Sequence, residues 1–211
     1  MSAPLDDRLA RVALSRLAEP GDLRLAALAA ELGAAELHRL LAEERDLMGL
    51  QTDVAARLDG IDPRRELDQA HRLGLRFVIP GDDEWPAQLD DLAGVEPLHD
   101  RGGVPIGLWA KGPLRLDQVA RSVAVVGSRA STSYGGSVAG EMGAVVALAG
   151  VAVVSGAAFG IDDAAHRGAL GVGGPTVAVL ACGADRVYPS AHRELIGAIA
   201  ATGVVVSEAA P

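Results

Sequence analysis

The segment VAVVGSRASTSYGG, residues 123–136, contains the residues whose types and spacing best suit the binding of an anion. A short apolar run ends in Gly127-Ser128-Arg129, passes through small hydroxylated residues and opens a helix pattern. Glycine lets backbone amides approach an anion closely, and arginine can bind two phosphate oxygens at once. The N-terminus of the following helix adds partial positive charge. The segment therefore predicts part of a phosphate-binding site.

Three more loops of the same character follow apolar runs later in the chain, at 155–162, 182–189 and 207–211. In an open parallel sheet such loops leave the carboxyl ends of the strands, where ligands bind. We therefore predict one cleft lined by small and polar residues from four loops: Gly127, Ser128, Arg129, Ser155, Gly156, Gly160, Gly183 and Ser207. The alternative is that these glycines only make the tight strand-to-helix turns that this class of fold needs.

Two common nucleotide sites are disfavoured by the same segments. GSRASTSYGG does not match G-x-G-x-x-G, and Ser155-Gly156 stands where a dinucleotide-binding fold carries a ribose-binding acid. The chain also has no G-x-x-x-x-G-K-[ST]. A nicotinamide oxidoreductase and a nucleoside triphosphatase are therefore both disfavoured.

Asp162 and His166 stand four residues apart on one predicted helix face. This spacing suits a metal ion or a general acid/base pair. The alternative is that Asp162 caps the helix while His166 bonds to the edge of the sheet. No third ligand stands in register, so we predict neither a metal nor a cofactor.

The aromatic residues divide into two groups. Phe159 and Tyr134 fall in the predicted loops at the strand ends and are candidates for stacking on nucleobases. Trp85 and Trp109 are predicted to be core residues. Cys182 is small and follows an apolar strand, so it is also predicted to lie in the core.

The elements that position these residues are indicated by the hydrophobic pattern. Apolar runs at 123–126, 151–154, 176–181 and 204–207 alternate with helix patterns at 135–149, 161–170 and 190–201. Strands that are apolar on both faces and alternate with helices are typical of a parallel sheet covered on both sides. The fold class is therefore α/β, with a Rossmann-like parallel sheet that has helices on both faces. Two earlier strands are predicted at 75–79 and 106–110.

A small all-helical domain is predicted to precede this sheet. Apolar residues recur at helical spacing from Leu5 to about Arg45, interrupted by EPGD at 19–22. A further helix has Asp62 as its N-cap, Pro63 at its first position and Gly74 as its stop. We therefore divide the chain into a helical domain, 1–72, and a Rossmann-like domain, 73–211. Helical modules of this kind bind DNA or a partner less often than they only pack.

The charge of the chain restricts how it binds an anion. There are 19 Lys and Arg residues against 28 Asp and Glu, a net charge of -9, and Lys111 is the one lysine. This balance argues against a protein that coats nucleic acid, so any anion site is local. The single cysteine and the lack of a long apolar run lead us to expect a cytosolic protein with no membrane span.

Together, four segments in order resemble the DprA/Smf family of DNA-processing proteins. They are VAVVGSRASTSYGG, VVSGAAFGIDDAAHRGAL, GGPTVAVLACGADRVYPSAHREL and GVVVSEAAP, spanning 121–211, with FVIPGDDEWPAQLDDL and GLWAKG upstream. The resemblance implies an extended Rossmann domain after a SAM-like or helix-hairpin-helix-like domain, in a bacterial cytosolic protein that is not an enzyme. It further implies single-stranded DNA binding, loading of RecA, protection of incoming DNA during natural transformation, and a homodimer.

The resemblance assigns Gly127, Ser128 and Arg129 to a phosphate-binding pocket beside Ser155 and Gly156. We also place Phe159, Gly160, Asp162, His166, Gly183 and Ser207 at this DNA-binding site. The chain departs from the family in having no lysine after Lys111, so only arginines remain for the groove: Arg121, Arg129, Arg167, Arg186 and Arg193. His192 stands where we expect an asparagine. We further expect the family's later arginine- and asparagine-rich stretch and its small C-terminal domain to lie beyond Pro211.

Two alternative functions remain open at this point. Related Rossmann-like enzymes cleave nucleoside monophosphates at the glycosidic bond, and Glu208 is then the candidate acid. The P-G-G-x-G-T signature of those enzymes is missing, since GGPT at 173–176 precedes a strand instead. The other alternative is a protein-interaction platform that dimerises and holds RecA without using the cleft.

Overall fold

The computed structural model describes residues 4–43 and 57–211, which fall into two compact units. The first unit comprises the described residues up to Trp109 with 208–210, and the second comprises residues 110–207 with Pro211. The helices predicted for residues 1–72 lie in the first unit, which extends to Trp109. The last part of the helical run predicted to reach Arg45 lies outside the described residues.

The first unit begins with three helices, α1 (Leu5–Leu17), α2 (Leu23–Leu32) and α3 (Ala34–Glu43). Asp22 ends the EPGD interruption and caps α2, because its side chain accepts hydrogen bonds from the amides of Arg24 and Leu25. The three helices share one apolar core: Ala10, Leu14, Ala29, Ala34 and Leu37. Small alanines in this core let the helices approach closely.

The unit continues with α4 (Pro63–Arg72) and the strand β1 (Leu75–Val78). The Asp62 side chain accepts from the amides of Arg64 and Arg65, and Gly74 has a left-handed φ of 76°. The predicted cap and stop of this helix are therefore confirmed. The Arg8 guanidinium of α1 donates to the carbonyl of Phe77 and lies 2.5 Å from the Asp82 carboxylate, so α1 is fixed to β1.

Five further strands follow β1: β2 (Leu108–Lys111), β3 (Ser122–Ala124), β4 (Ala152–Ser155), β5 (Thr176–Val179) and β6 (Val204–Ser207). The last four form a sheet in the second unit with the strand order β6-β5-β4-β3. Within the second unit β3, β4, β5 and β6 pair in parallel, with Val123 opposite Val153, Val154 opposite Val177, and Val177 opposite Val204. The predicted α/β fold with a parallel sheet and a preceding helical region is confirmed.

One strand is less buried than its sequence predicts. Val123, Ala124 and Val126 are exposed, although the run 123–126 was predicted to be apolar and buried on both faces. The physical reason is position, because β3 ends the strand order and pairs only with β4 among the described strands. The core of this half of the unit lies instead under β4, at Val125, Ala147, Val153, Ala165 and Ala169.

Three helices connect the parallel strands: α5 (Ser133–Leu148), α6 (Ile161–Gly171) and α7 (Arg193–Thr202). Helices α5 and α6 pack backbone against backbone. A Cβ placed on Gly168 would collide with the carbonyl oxygen of Gly140, and one on Gly143 with that of Ala165. Glycine at these positions sets the distance between the two helices, and therefore where α6 begins.

His166 fixes α6 to the sheet. Its side chain is fully buried, and its Nδ1 lies 2.7 Å from the Thr176 hydroxyl at the start of β5. That hydroxyl donates in turn to the carbonyl of Val153 in β4, at 2.9 Å. Burial lowers the pKa of His166 to about 4, although the nearby Asp162 carboxylate opposes this shift. His166 is therefore a neutral part of the interior.

Substitution of Gly168 by alanine tests the helix contact. The backbone oxygen of Gly140 cannot move aside as a side chain would, so Gly168→Ala should lower the free energy of unfolding by about 2 kcal/mol. Gly197 in α7 is the matched control, because its Cβ would meet no atom within 4 Å. Gly197→Ala should instead stabilise the protein by up to about 1 kcal/mol. Urea denaturation of both variants measures this, and equal effects would contradict the packing described.

The pH dependence of stability tests the state of His166. Its pKa is lower in the folded protein than in the unfolded chain, so the unfolded chain binds more protons between pH 6.5 and 4. Stability should therefore fall as pH falls through this window, by about 3 kcal/mol from this group. The stability difference between wild type and His166→Gln, measured by urea denaturation, should shrink by that amount. A difference that stays constant with pH would show that His166 does not titrate this way.

Candidate nucleic-acid interface

A cleft of about 460 Å³ opens at the carboxyl ends of β4 and β5 within the second unit. Residues from four segments line it: Arg129 after β3, Gly156, Ala158 and Phe159 after β4, Val179 to Cys182 at the end of β5, and Tyr188 and Pro189 before α7. The lining is mostly apolar, and it includes two aromatic rings and one guanidinium. The predicted location of a site at this edge of the sheet therefore coincides with an open cleft.

The loop after β3 presents Gly127, Ser128 and Arg129 to solvent. A Cβ on Gly127 would lie 2.8 Å from the Ile161 side chain, so glycine is needed where this loop meets α6. The Ser128 hydroxyl accepts from the Ala130 amide at 3.2 Å, which shapes the turn. Arg129 forms no ion pair with any residue in 4–43 or 57–211, and its guanidinium is free to bind a ligand.

The loop after β4 is organised by Asp162, which is buried. One carboxylate oxygen accepts from the Gly156 amide at 3.1 Å and from the Ala158 amide at 3.4 Å. Gly160 then begins α6 with a left-handed φ of 82°. The next amide, of Ile161, donates to the carbonyl of Ser128 at 3.2 Å, which joins this loop to the loop after β3.

These contacts correct part of the predicted phosphate cradle. The Gly156 amide was predicted to be free for an anion, but it is bonded to Asp162. Ser155 was predicted to offer its hydroxyl, but it is 3% exposed and donates to the carbonyl of Val125 at 2.6 Å. Buried polar groups where a strand ends must form hydrogen bonds within the protein. The small residues next to the strands take part in these bonds, so they are not available to an anion.

Four further predicted residues are also buried. Asp162 is 5% exposed and His166 is fully buried, so the alternative in which His166 bonds to the sheet edge is the one the structure shows. Asp162 accepts loop amides rather than the amides of its own helix. Ser207 is fully buried, and Gly183 is buried with a left-handed φ of 98°. These four residues are therefore not accessible to a ligand in the cleft.

The exposed fractions of the aromatic side chains show which of them can meet a ligand. Phe159 is 48% exposed and lines the cleft, whereas Tyr134 is 80% exposed at the start of α5 and does not line it. Trp85 and Trp109 are buried, as predicted. Tyr188, 70% exposed, lines the cleft and was not singled out from the sequence. Its position in a loop at a strand end is the signal from which it could have been predicted to line the cleft.

The prediction for Cys182 was also wrong. It was predicted to be a core residue because it follows a buried strand, but it is half-buried and lines the cleft. The strand β5 ends at Val179, three residues earlier, so Cys182 already belongs to the loop.

Arg129 differs in its surroundings from two other arginines predicted for the groove. Arg167 forms an ion pair with Asp163 at 2.8 Å, and Arg186 lies 3.8 Å from the Asp185 carboxylate. These carboxylates reduce the attraction of their arginines for a phosphate. The positive charge available within the cleft is therefore carried by Arg129.

Glu208, the candidate acid of the hydrolase alternative, does not line this cleft. It is half-buried in a pocket of the first unit beside Gly21 and Asp22. Burial raises the pKa of its carboxyl group, although a contact with the Gly21 backbone opposes this. In the described ranges no three His, Cys, Asp or Glu side chains converge as metal ligands would, and no helix there is long and apolar enough to span a membrane.

Known proteins match the chain over most of its length. The family model of DNA recombination-mediator protein A matches residues 76–211. A putative DNA processing protein DprA of Mycobacterium tuberculosis is 45% identical over 208 residues, covering 94% of this chain and 52% of the relative. The DNA processing protein DprA of Streptococcus pneumoniae is 41% identical over 108 residues, covering 51% of this chain and 37% of the relative. The chain thus spans about half the length of the mycobacterial relative.

Solved structures agree with these sequence matches. The X-ray structure of DprA from Streptococcus pneumoniae superimposes with a TM-score of 0.69 at 28% identity, covering 100% of this chain and 69% of that one. A structure of DNA processing protein A from Helicobacter pylori, described for its single-stranded DNA binding mode, gives a TM-score of 0.51 at 27% identity over 64% of this chain and 55% of that one. With the family model matching well over half of its residues, the chain belongs to the DprA/Smf family of DNA-processing proteins.

Proposed function

We propose that this protein binds single-stranded DNA in the cleft at the carboxyl ends of β4 and β5. The observation that carries the proposal is the placement of Arg129, without an ion-pair partner in the described ranges, on the same cleft as the exposed rings of Phe159 and Tyr188. A guanidinium binds a phosphate oxygen, and aromatic rings stack on bases of any sequence. The Helicobacter pylori relative, which is described as binding single-stranded DNA, supports this choice of ligand.

The lining of the cleft favours a single strand over a duplex. The side chains from Val179 to Cys182 are apolar, and an apolar lining with aromatic rings suits the face of a base that is not paired or stacked in a helix. The net charge of -9 provides no general attraction for DNA, so few phosphates should be contacted. Binding should accordingly depend only weakly on salt.

We further propose that the bound strand is passed to RecA, and that the protein thereby protects incoming DNA during natural transformation. In this proposal it acts as a homodimer in the cytoplasm and catalyses no reaction of its own. The support is membership of the family, whose model carries the description DNA recombination-mediator protein A. The position of Glu208 outside the cleft weighs against the glycosidic hydrolase, because its carboxyl group is not beside the proposed phosphate site.

Removal of the Arg129 side chain is the direct test. Arg129→Ala should weaken binding of a fluorescent 30-nucleotide single strand by about tenfold, because a charge-assisted hydrogen bond to phosphate is lost. The slope of log affinity against log salt should fall by about 0.7. Arg121 was predicted for the groove, but it precedes β3 at the amino end of the strand and does not line the cleft. Arg121→Ala, which removes an exposed arginine away from the cleft, is therefore the matched control. Fluorescence anisotropy at two salt concentrations measures both variants.

Three results would contradict the proposal. Equal affinity of wild type and Arg129→Ala would place the phosphate elsewhere, and tighter binding of a duplex of equal length would exclude the single-strand mode. A wild-type chain that binds no DNA would leave the interaction-platform alternative in its place. Release of free base from AMP, followed by chromatography, would revive the hydrolase.

Transfer of the strand to RecA has its own test. Wild-type protein should shorten the lag before RecA polymerises on a single strand, and Arg129→Ala should lose this effect because it no longer holds the strand. The readout is RecA filament growth on a labelled oligonucleotide, with Arg121→Ala as the control. A lag unchanged by wild-type protein that demonstrably binds the strand would contradict RecA loading while leaving DNA binding intact.

A further inference from the structure

The loop that carries Phe159 has an unusual backbone conformation at Ala157. Ala157 has φ 52°, in the left-handed region that favours glycine, and its side chain is fully buried. A Cβ in this region is strained, and such conformations persist only where the surroundings determine them. Left-handed non-glycine residues of this kind are found preferentially at ligand sites. The contacts that hold Ala157 therefore bear on the function of the loop.

His192 provides the principal contact from outside the loop. It ends the short 3₁₀ helix Ser190–His192, immediately before α7, and is 5% exposed. Its Nδ1 lies 2.9 Å from the carbonyl oxygen of Ala157. A carbonyl can only accept, so Nδ1 carries the proton and donates it to this bond. On the other side of the loop, the Asp162 carboxylate holds the amides of Gly156 and Ala158.

The same histidine ring supports Phe159. The centroids of the two rings are 4.5 Å apart, and their planes meet at 66°, an edge-to-face arrangement. Phe159 nevertheless remains 48% exposed and lines the cleft that also contains Arg129. His192 thus supports the phenylalanine ring, while about half of the Phe159 surface stays accessible to a ligand.

We propose that His192 is a positioning residue, which holds the loop after β4 so that the exposed part of Phe159 stacks on an unpaired nucleobase of a bound single strand. This inference rests on the proposed function, and it names the residue that orients one of the two base-stacking rings. Arg129 recognises the phosphate, whereas the pair of Phe159 and His192 recognises the base. Stacking on a rigidly held ring loses less conformational entropy than stacking on a mobile one.

The proposal predicts that base and phosphate contributions can be separated experimentally. An oligothymidine and an abasic strand of the same length carry the same phosphates, but only the first has bases to stack. Wild-type protein should bind oligothymidine at least about fivefold more tightly, as expected for one stacked base. His192→Ala should lower this ratio by about fivefold, the share of the one base stacked on Phe159, while leaving affinity for the abasic strand and the salt slope unchanged.

Further variants keep the test independent of folding. Phe159→Leu removes the stacking ring but keeps an apolar side chain against His192, and it should lower the ratio of the two affinities in the same way. His192→Asn retains a donor for the Ala157 carbonyl, so it should lower the ratio of the two affinities less than His192→Ala does. His71→Ala, at an exposed position on α4, is the matched control and should bind like wild type. Thermal unfolding and circular dichroism establish which variants fold.

The outcomes distinguish this inference from the proposed function. A folded His192→Ala or Phe159→Leu with an unchanged ratio would overturn the inference. A loss of affinity for both strands by the same factor would overturn it as well, since His192 would then have only a general structural role. If His192→Ala does not fold, Phe159→Leu and His192→Asn decide. Binding that depends on Arg129 without any base preference would overturn only the inference, and no binding by wild type would overturn both proposals.

Discussion

The candidate site depends on the close approach between the loop after β3 and the first turn of α6. A side chain at Gly160 would collide with the carbonyl oxygen of Ser128, and one at Gly127 would lie 2.8 Å from Ile161. The Ile161 amide donates to Ser128 across this contact at 3.2 Å. Two loops from neighbouring strands thereby become one rigid surface, which brings Arg129 and Phe159 to the same cleft. The tight packing of α5 on α6 sets the position of α6 and so makes this approach possible.

The residues around the cleft divide into buried supports and exposed contacts. Asp162 and His166 satisfy backbone and side-chain groups behind the surface, where an unpaired polar group would be costly. Arg129 and Tyr188 remain on the rim, where solvent and ligand reach them. A phosphate cannot replace the internal bonds without loss of the loop conformation. Recognition is therefore left to one guanidinium and to aromatic faces, which suits a chain of net charge -9.

Much of the fold could be predicted because local signals agreed with it, as at Asp62, whose cap and following helix were read directly from the sequence. The place of the site could also be predicted, since carboxyl ends of parallel strands meet at one edge. The exposure of β3 could not be predicted, because the sequence does not show that this strand ends the strand order. The hydrogen bond of the Gly156 amide and the support that His192 gives to Phe159 could not be predicted either. The first joins residues 6 positions apart and the second joins residues 33 positions apart. Composition and spacing do not specify such tertiary contacts.

Amide chemical shifts of the isotope-labelled protein, recorded while a short oligothymidine is added, test the central claim most directly. The account predicts that the largest changes occur in the loops after β3 and β4, at residues 127–129 and 156–160, with changes at Tyr188. The amides of α4 in the first unit should remain unaffected. Changes centred on the first unit, or loops after β3 and β4 that do not respond to a strand that binds, would contradict the assignment of the cleft as the DNA-binding site.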